Sequence, residues 1–372
     1  MRHDAMTKVG MLGAGYILGS HAASVRANPA LSLHAVADAS QGRARAAQTT
    51  HGFAHALGSI DAMAASDCDA VHVLLPPALH GDAAAAMLTA GKSVFVEKPF
   101  VIDKATADGL CEQARQVGAR LAVNHNFLFG RNYETLREQV RAGGLGRIDV
   151  LEVRWHYELP FVKHGPFDNW MLAAPVNPLF ELGPHLFAFA LDLVGPVTIT
   201  HAVPDMPVTL PSGVVLPRRW IILGTCGATA IRFSLSFLPG HEDRSLTLRG
   251  TGGAATYDFG RDVLLTVQTV TDNPMLDSRE AARAIAAQAK RQARGDYRRR
   301  VLSAIRRQPG ANPFEDTVHR SISAFYAGLP GTAVDARHAP ELAAATIGLC
   351  EDAARLSGLG AVARAPFDVL MP

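Results

Sequence analysis

The sequence predicts an α/β protein of two domains: a parallel-sheet domain over residues 1–124, then an α+β domain over 125–372 with a large, mostly antiparallel, open sheet. Three observations carry this. A chain of 372 residues, 48% hydrophobic and 19% charged, has enough apolar material for two cores. Its first third alternates short apolar runs with alanine-rich helical stretches, the rhythm of β-α-β units. From Arg147 the runs lengthen, gain β-branched residues and are broken by Gly and Pro, which suits antiparallel strands.

In chain order, strands are expected at Lys8–Leu12, Leu31–Ala37, Ala70–Leu75, Ser93–Val96 and Arg120–Val123, with helices such as Pro77–Ala90 and Asp103–Val117 between them. The second domain is expected to hold strands at Arg147–Tyr157, Val214–Leu223, Ala228–Phe237, Ser245–Arg249 and Val263–Val270. Helical patterns follow at Ser278–Arg307, Pro313–Ala327 and Ala339–Ser357. The net charge of +2 marks no nucleic-acid binder, and the four isolated cysteines argue against a zinc site or disulfide framework and for a reducing cytoplasm. His51 and His55 have helical metal-ligand spacing but no third ligand, so no metal is expected. No apolar run reaches membrane-span length and the first ten residues are not leader-like, so a soluble cytoplasmic protein is expected.

The segment Val9 to Gly19 follows the first strand and opens a helix, as a dinucleotide fingerprint does. Gly13 would make the tight turn, and Gly15, with Tyr16 and Ile17 after it, would bring backbone N–H groups to a pyrophosphate at the helix N-terminus. Leu18 stands where a third glycine is usual, with Gly19 one place late. The next strand ends at Asp38, where a carboxylate accepts from the adenosine ribose and repels a 2′-phosphate, which favours NAD. Arg43 and Arg45 nearby keep NADP open. Together these make the first domain a Rossmann dinucleotide-binding domain.

Two further segments carry a resemblance: Asp69 to His80, with Leu75-Pro76-Pro77 and His80, and Gly91 to Pro99, ending in Glu97-Lys98-Pro99. With the glycine turn, Glu181-x-x-x-His185 and Gly250-Thr251-Gly252-Gly253, they make the chain resemble the Gfo/Idh/MocA family of glucose-fructose oxidoreductase and inositol dehydrogenase. The resemblance implies a nicotinamide-dependent dehydrogenase or reductase acting on sugars, inositols or their derivatives, a commonly cis Lys-Pro bond, and a homo-oligomer, dimer or tetramer. It places Leu75, Pro76, His80, Glu97 and Lys98 at the cofactor, and gives His185 the general acid/base role with Glu181 orienting it. The chain departs from the family pattern at Ala188, at Pro175-Val176-Asn177 and at Leu75-Pro76-Pro77, which removes polar contacts expected for a small polyol.

The residues themselves agree on location. Lys98 follows the carboxyl end of a strand, where open α/β sheets bind ligands, and an ammonium there stabilises a developing alkoxide. Glu181 and His185, four apart, share a face if the stretch is helical, although Pro184 deprives Phe180 of a helical partner. Asn177 and Pro178 read as an N-cap and first-turn pair. Asn124, His125 and Asn126 are expected at the cleft, and Trp170 either lines a sugar pocket or fills the core.

Between Arg279 and Arg307 ten basic residues face two acidic ones, a local charge of +8 inside an insert at about 277–308. It reads as a solvated helix face, or as a site for an anionic partner, a phosphate-bearing substrate or a membrane surface. The expectation is an NAD(P)-dependent oxidoreductase in which Lys98 and His185 converge on one reactive oxygen. The alternatives are a non-catalytic NAD-binding sensor or assembly protein, and an NAD-dependent glycosidase working by transient oxidation.

Overall fold

Continuous apolar runs with buried residues on both faces build the first sheet. Its strands are β1 (Thr7–Leu12), β2 (Leu31–Ala37), β3 (His55–Leu57), β4 (Ala70–Val73), β5 (Ser93–Glu97) and β6 (Leu121–Asn124). All pair in parallel in the order β3-β2-β1-β4-β5-β6. The order reverses between β1 and β4, so the loops after these strands open at the topological switch point, where such sheets bind ligands. Helices α1 (Leu18–Arg26), α2 (Gln41–His51), α3 (Ile60–Ala64), α4 (His80–Thr89) and α5 (Lys104–Val117) make the crossovers. Their ends follow from local chemistry. Ser40, Ser59 and Asp103 each accept the N–H three residues on, and Gly52 and Gly118 close α2 and α5 in left-handed conformations.

This computed structural model describes residues 6–268, 274–306, 312–327, 329 and 334–363. The chain divides into two units, one running to His125 and including Val318–Gly348, the other holding Asn126–Thr317 and Leu349–Ala363. A segment from the last fifth of the chain thus packs with the N-terminal sheet, through contacts such as Tyr326 hydroxyl to His72.

The second unit is built on β7 (Ile148–His156), β8 (Thr198–Thr209), β9 (Val215–Cys226), β10 (Thr229–Ser236), β11 (Asp243–Gly250), β12 (Gly253–Asp258) and β13 (Val263–Gln268), ordered β13-β12-β11-β7-β10-β9-β8. Only β7 and β10 pair in parallel. Gly250-Thr251-Gly252-Gly253 is the turn between β11 and β12. The remaining helices are α6 (Arg131–Arg141), α7 (Pro160–His164), α8 (Asn177–Leu193), α9 (Pro274–Arg306), α10 (Pro313–Ala327) and α11 (Pro340–Ser357).

Several expectations need correction. β4 stops at Val73, and the stretch expected as one helix from Pro77 is a 3-10 turn before α4 begins at His80. The N-cap of α8 is Val176, not Asn177; the Asn177 amide instead donates to the Trp170 and Ala363 carbonyls and accepts the Ala363 N–H. His51 ends α2 while His55 opens β3, so they share no helical face. Of the strand expected to reach Val270 and the helix expected to reach Arg307, residues 269–270 and 307–308 lie outside the described residues.

The basic insert is the long helix α9, which lies along the edge strand β13. Gln288 and Gln292, one turn apart, each accept the N–H and donate to the C=O of Thr266 and Leu264 respectively, doing for the sheet edge what another strand would do. Arg299 and Arg300 pair with Asp296, and Arg283, Lys290, Arg294 and Arg298 face solvent.

Candidate functional site

β1 delivers the chain into Gly13-Ala14-Gly15 at the switch point. Gly13 has φ +102°, and a Cβ there would lie 2.6 Å from the Leu74 carbonyl oxygen at the end of the neighbouring strand. Only glycine fits such a turn. Gly15 has nothing within 4 Å of where its Cβ would be, and Tyr16 is exposed beside it. The peptide after β1 is therefore open to an approaching ligand.

Asp38, at the end of β2, ties this turn to the next. Its Oδ2 accepts the Ala14 N–H at 3.0 Å, and its Oδ1 accepts Ser40 N–H at 2.8 Å and the Arg43 guanidinium at 2.8 and 3.1 Å. Burial alone would raise its pKa, but these donors, Arg43 first, hold it below the usual carboxylate range. A fixed anion thus stands two strands from the switch point with Oδ2 still able to accept another donor.

Beyond β5 the Lys98-Pro99 bond is cis. The Glu97 carboxylate, mostly buried, accepts from His21 Nε2 at 2.8 Å and from the Asn124 amide at 2.5 Å. His80 is a strut: its Nε2 meets the Leu75 carbonyl at 2.7 Å and its Nδ1 the Pro99 carbonyl at 2.8 Å, and burial keeps its pKa low despite both. Leu75 is half-buried and Pro76 exposed. His125 is 1% exposed, neither ring nitrogen has a hydrogen-bond partner among the described residues, and burial pushes its pKa down to about 4. It is therefore a neutral imidazole at physiological pH.

In the second unit, α8 runs through Pro184 and puts Glu181 and His185 one turn apart. His185 is buried in an aromatic frame, stacked on Trp155 with centroids 5.2 Å apart and edge-on to Phe127 at 4.9 Å. The indole N–H groups of buried Trp155 and Trp170 have no partner among the described residues. Asn126, by contrast, donates to Thr317 Oγ1 at 2.8 Å, and Ala188 is buried. Among the predicted residues, Asp38 is thus tied to the glycine turn, Glu97 to Asn124, and His185 to the rings of Trp155 and Phe127.

Residues 7–125 match the family model described as oxidoreductase family, NAD-binding Rossmann fold. Over these residues the chain is similar to the Gfo/Idh/MocA family. Inositol 2-dehydrogenase of Rhizobium meliloti (strain 1021) is 32% identical over 147 residues, 39% of this chain and 44% of the relative. The dTDP-3,4-didehydro-2,6-dideoxy-alpha-D-glucose 3-reductase of Streptomyces violaceoruber is 38% identical over 125 residues, 34% of this chain and 36% of the relative. The chain thus spans less than half the length of either. A crystal structure of an NAD binding oxidoreductase from Klebsiella pneumoniae superposes with TM-score 0.78 over 97% of this chain and all of that one, at 17% identity, a likeness of fold.

Within the unit that holds this stretch, sequence reasoning missed His21, His72, Ser321, Tyr326 and His338, which are buried and linked to Glu97 or Asn124 by hydrogen bonds. A histidine in the apolar run of β4 was the one available signal, because a buried polar group needs a partner.

Proposed function

We propose that the protein is an NAD(P)-dependent oxidoreductase moving hydride between nicotinamide and a secondary alcohol or ketone of a sugar, inositol or nucleotide-sugar. The observation that carries this reading is the glycine turn pinned to Asp38 with Gly15 left open. These residues fit a dinucleotide: the turn and the start of α1 suit a pyrophosphate, and Asp38 Oδ2 suits an adenosine ribose hydroxyl. Leu75, Pro76, Glu97 and Lys98 are assigned to the nicotinamide side. When bound, the dinucleotide supplies the hydride acceptor or donor.

The chain's own residues handle the substrate. The Lys98 ammonium hydrogen-bonds the reacting oxygen and stabilises negative charge as it develops. His185 takes the hydroxyl proton in oxidation and returns it in reduction, with Glu181 orienting the ring. Asn124, His125, Asn126 and Trp170 are assigned to the substrate's surroundings. The aromatic frame of His185 suits the apolar face of a sugar ring.

A panel of hexoses, inositols and nucleotide-sugars incubated with NAD or NADP tests this. Net accumulation of reduced nicotinamide supports the dehydrogenase; product without it indicates a transient oxidation cycle, and neither with any substrate overturns the reading. The proposed preference is for NAD. Asp38→Ser removes the charge that repels a 2′-phosphate and frees Arg43 to meet it, so kcat/KM for NADP relative to NAD should rise by about 10-fold or more. An unchanged ratio would remove Asp38 from cofactor selection.

A further inference from the structure

The side of α9 that faces away from the sheet is not a plain charged helix surface. Gln288 and Gln292 fix the helix on β13, and Arg299 continues the same face, near enough for its charge to act on the Asp262 carboxyl at the turn between β12 and β13. With about 3.6 residues per turn, the positions opposite these are Arg283, Lys290 and Arg294, then Tyr297, Val301 and Ile305. All are exposed, Tyr297 by 72% and Ile305 by 73%. They form one straight stripe about 33 Å long, cationic over its first half and apolar over its second. Arg298 and Leu302, also exposed, flank the apolar half. Acidic side chains are kept off the stripe: Glu280 lines the groove against β13, and Asp296 is held by Arg299 and Arg300.

We propose that this stripe docks the protein on an anionic lipid surface. Arg283, Lys290 and Arg294 meet headgroup phosphates, while Val301, Leu302 and Ile305 enter the acyl boundary and the Tyr297 ring lies at headgroup depth. The guanidinium of Arg298 stays among the phosphates while its stem covers apolar surface. Two other occupants fit less well. Nucleic acid would match the charges but offers no apolar layer to Val301, Leu302 and Ile305. A second copy of the chain, docking by the same stripe about a two-fold axis, would set cation against cation. The contact is peripheral, since no helix among the described residues is long and apolar enough to cross a membrane. The inference goes beyond the oxidoreductase reading and does not rest on it.

Co-sedimentation of the full chain with vesicles tests it. The wild type should sediment with vesicles of phosphatidylglycerol and phosphatidylcholine and stay in the supernatant with phosphatidylcholine alone. Raising the salt from about 0.1 M to about 1 M shortens the screening length from about 10 Å to about 3 Å and should release most of the protein. Replacing Arg283, Lys290 and Arg294 by Gln keeps helix propensity and removes three charges, each of which should count for about fivefold in affinity, so the triple variant should bind about 100-fold more weakly. Val301→Gln with Ile305→Gln keeps every charge and should weaken binding by about 10-fold or more, because the apolar half no longer inserts. These side chains are exposed, so both variants should keep the wild-type urea midpoint, and a single-site Arg294→Gln variant gives a fivefold reading should the triple one fail to fold. No sedimentation with anionic vesicles, equal binding to phosphatidylcholine, or variants that bind as the wild type does would overturn the proposal. Equally tight binding of an RNA oligomer by the same residues, or a dimer that the same substitutions dissociate, overturns it too. Turnover on the sugar panel, present or absent, bears only on the oxidoreductase reading.

Discussion

Replacing Lys98 with methionine should lower kcat by about 10²–10³-fold, the usual loss when one charged donor to a developing oxyanion is removed. Methionine keeps most of the side-chain volume, so NADH affinity should stay within about threefold, and a fluorescence titration separates the two effects. His185→Gln should cost about 10²–10⁴-fold, as loss of a general base does. The informative measurement is the double variant. Lys98 lies in one unit and His185 in the other. If both act on one oxygen, their losses share a single transition-state interaction, and the double variant should lose little more than the worse single one. Multiplicative losses would mean that the residues work independently, and a Lys98→Met variant with full turnover would remove the lysine from the mechanism altogether.

Legibility in the sequence followed how local each constraint is. Residues Leu31–Ala37 and Ser93–Val96 were readable as strands because each is a short, mostly apolar run with its own boundaries. The glycine turn and Asp38 were readable because the backbone dictates their spacing. β3 escaped because it is three residues long. β8 escaped because Pro204 and Pro207, a register shift near Ile199 and a positive φ at Met206 erase its alternation. α8 runs through Pro184, which the local rules discourage; it is anchored by burial on nearly every side, so packing outweighs the lost hydrogen bond. The Glu97 chain was beyond reach: His72 and Tyr326 are 254 positions apart, and no spacing rule connects them.

Two alanine substitutions two positions apart should separate what the glycine turn does for the fold from what it does for the ligand. Gly13→Ala must place a methyl 2.6 Å from the Leu74 oxygen and 2.8 Å from its carbon, at φ +102°. The neighbour is backbone at the end of a paired strand and has little room to move. Strain at positive φ and overpacking together should cost about 2–5 kcal/mol, read as a lower urea midpoint with an unchanged slope, and NADH binding should be lost as β1 and β4 part. Gly15→Ala meets nothing within 4 Å, so its unfolding midpoint should match the wild type. Its methyl nonetheless occupies the surface assigned to the pyrophosphate, where a well-packed contact leaves no room for it, so the NADH dissociation constant should rise by about 10-fold or more. An unaltered dissociation constant would mean that the dinucleotide does not approach the backbone at residue 15. A destabilised Gly15→Ala would mean that this glycine serves the fold, as Gly13 does.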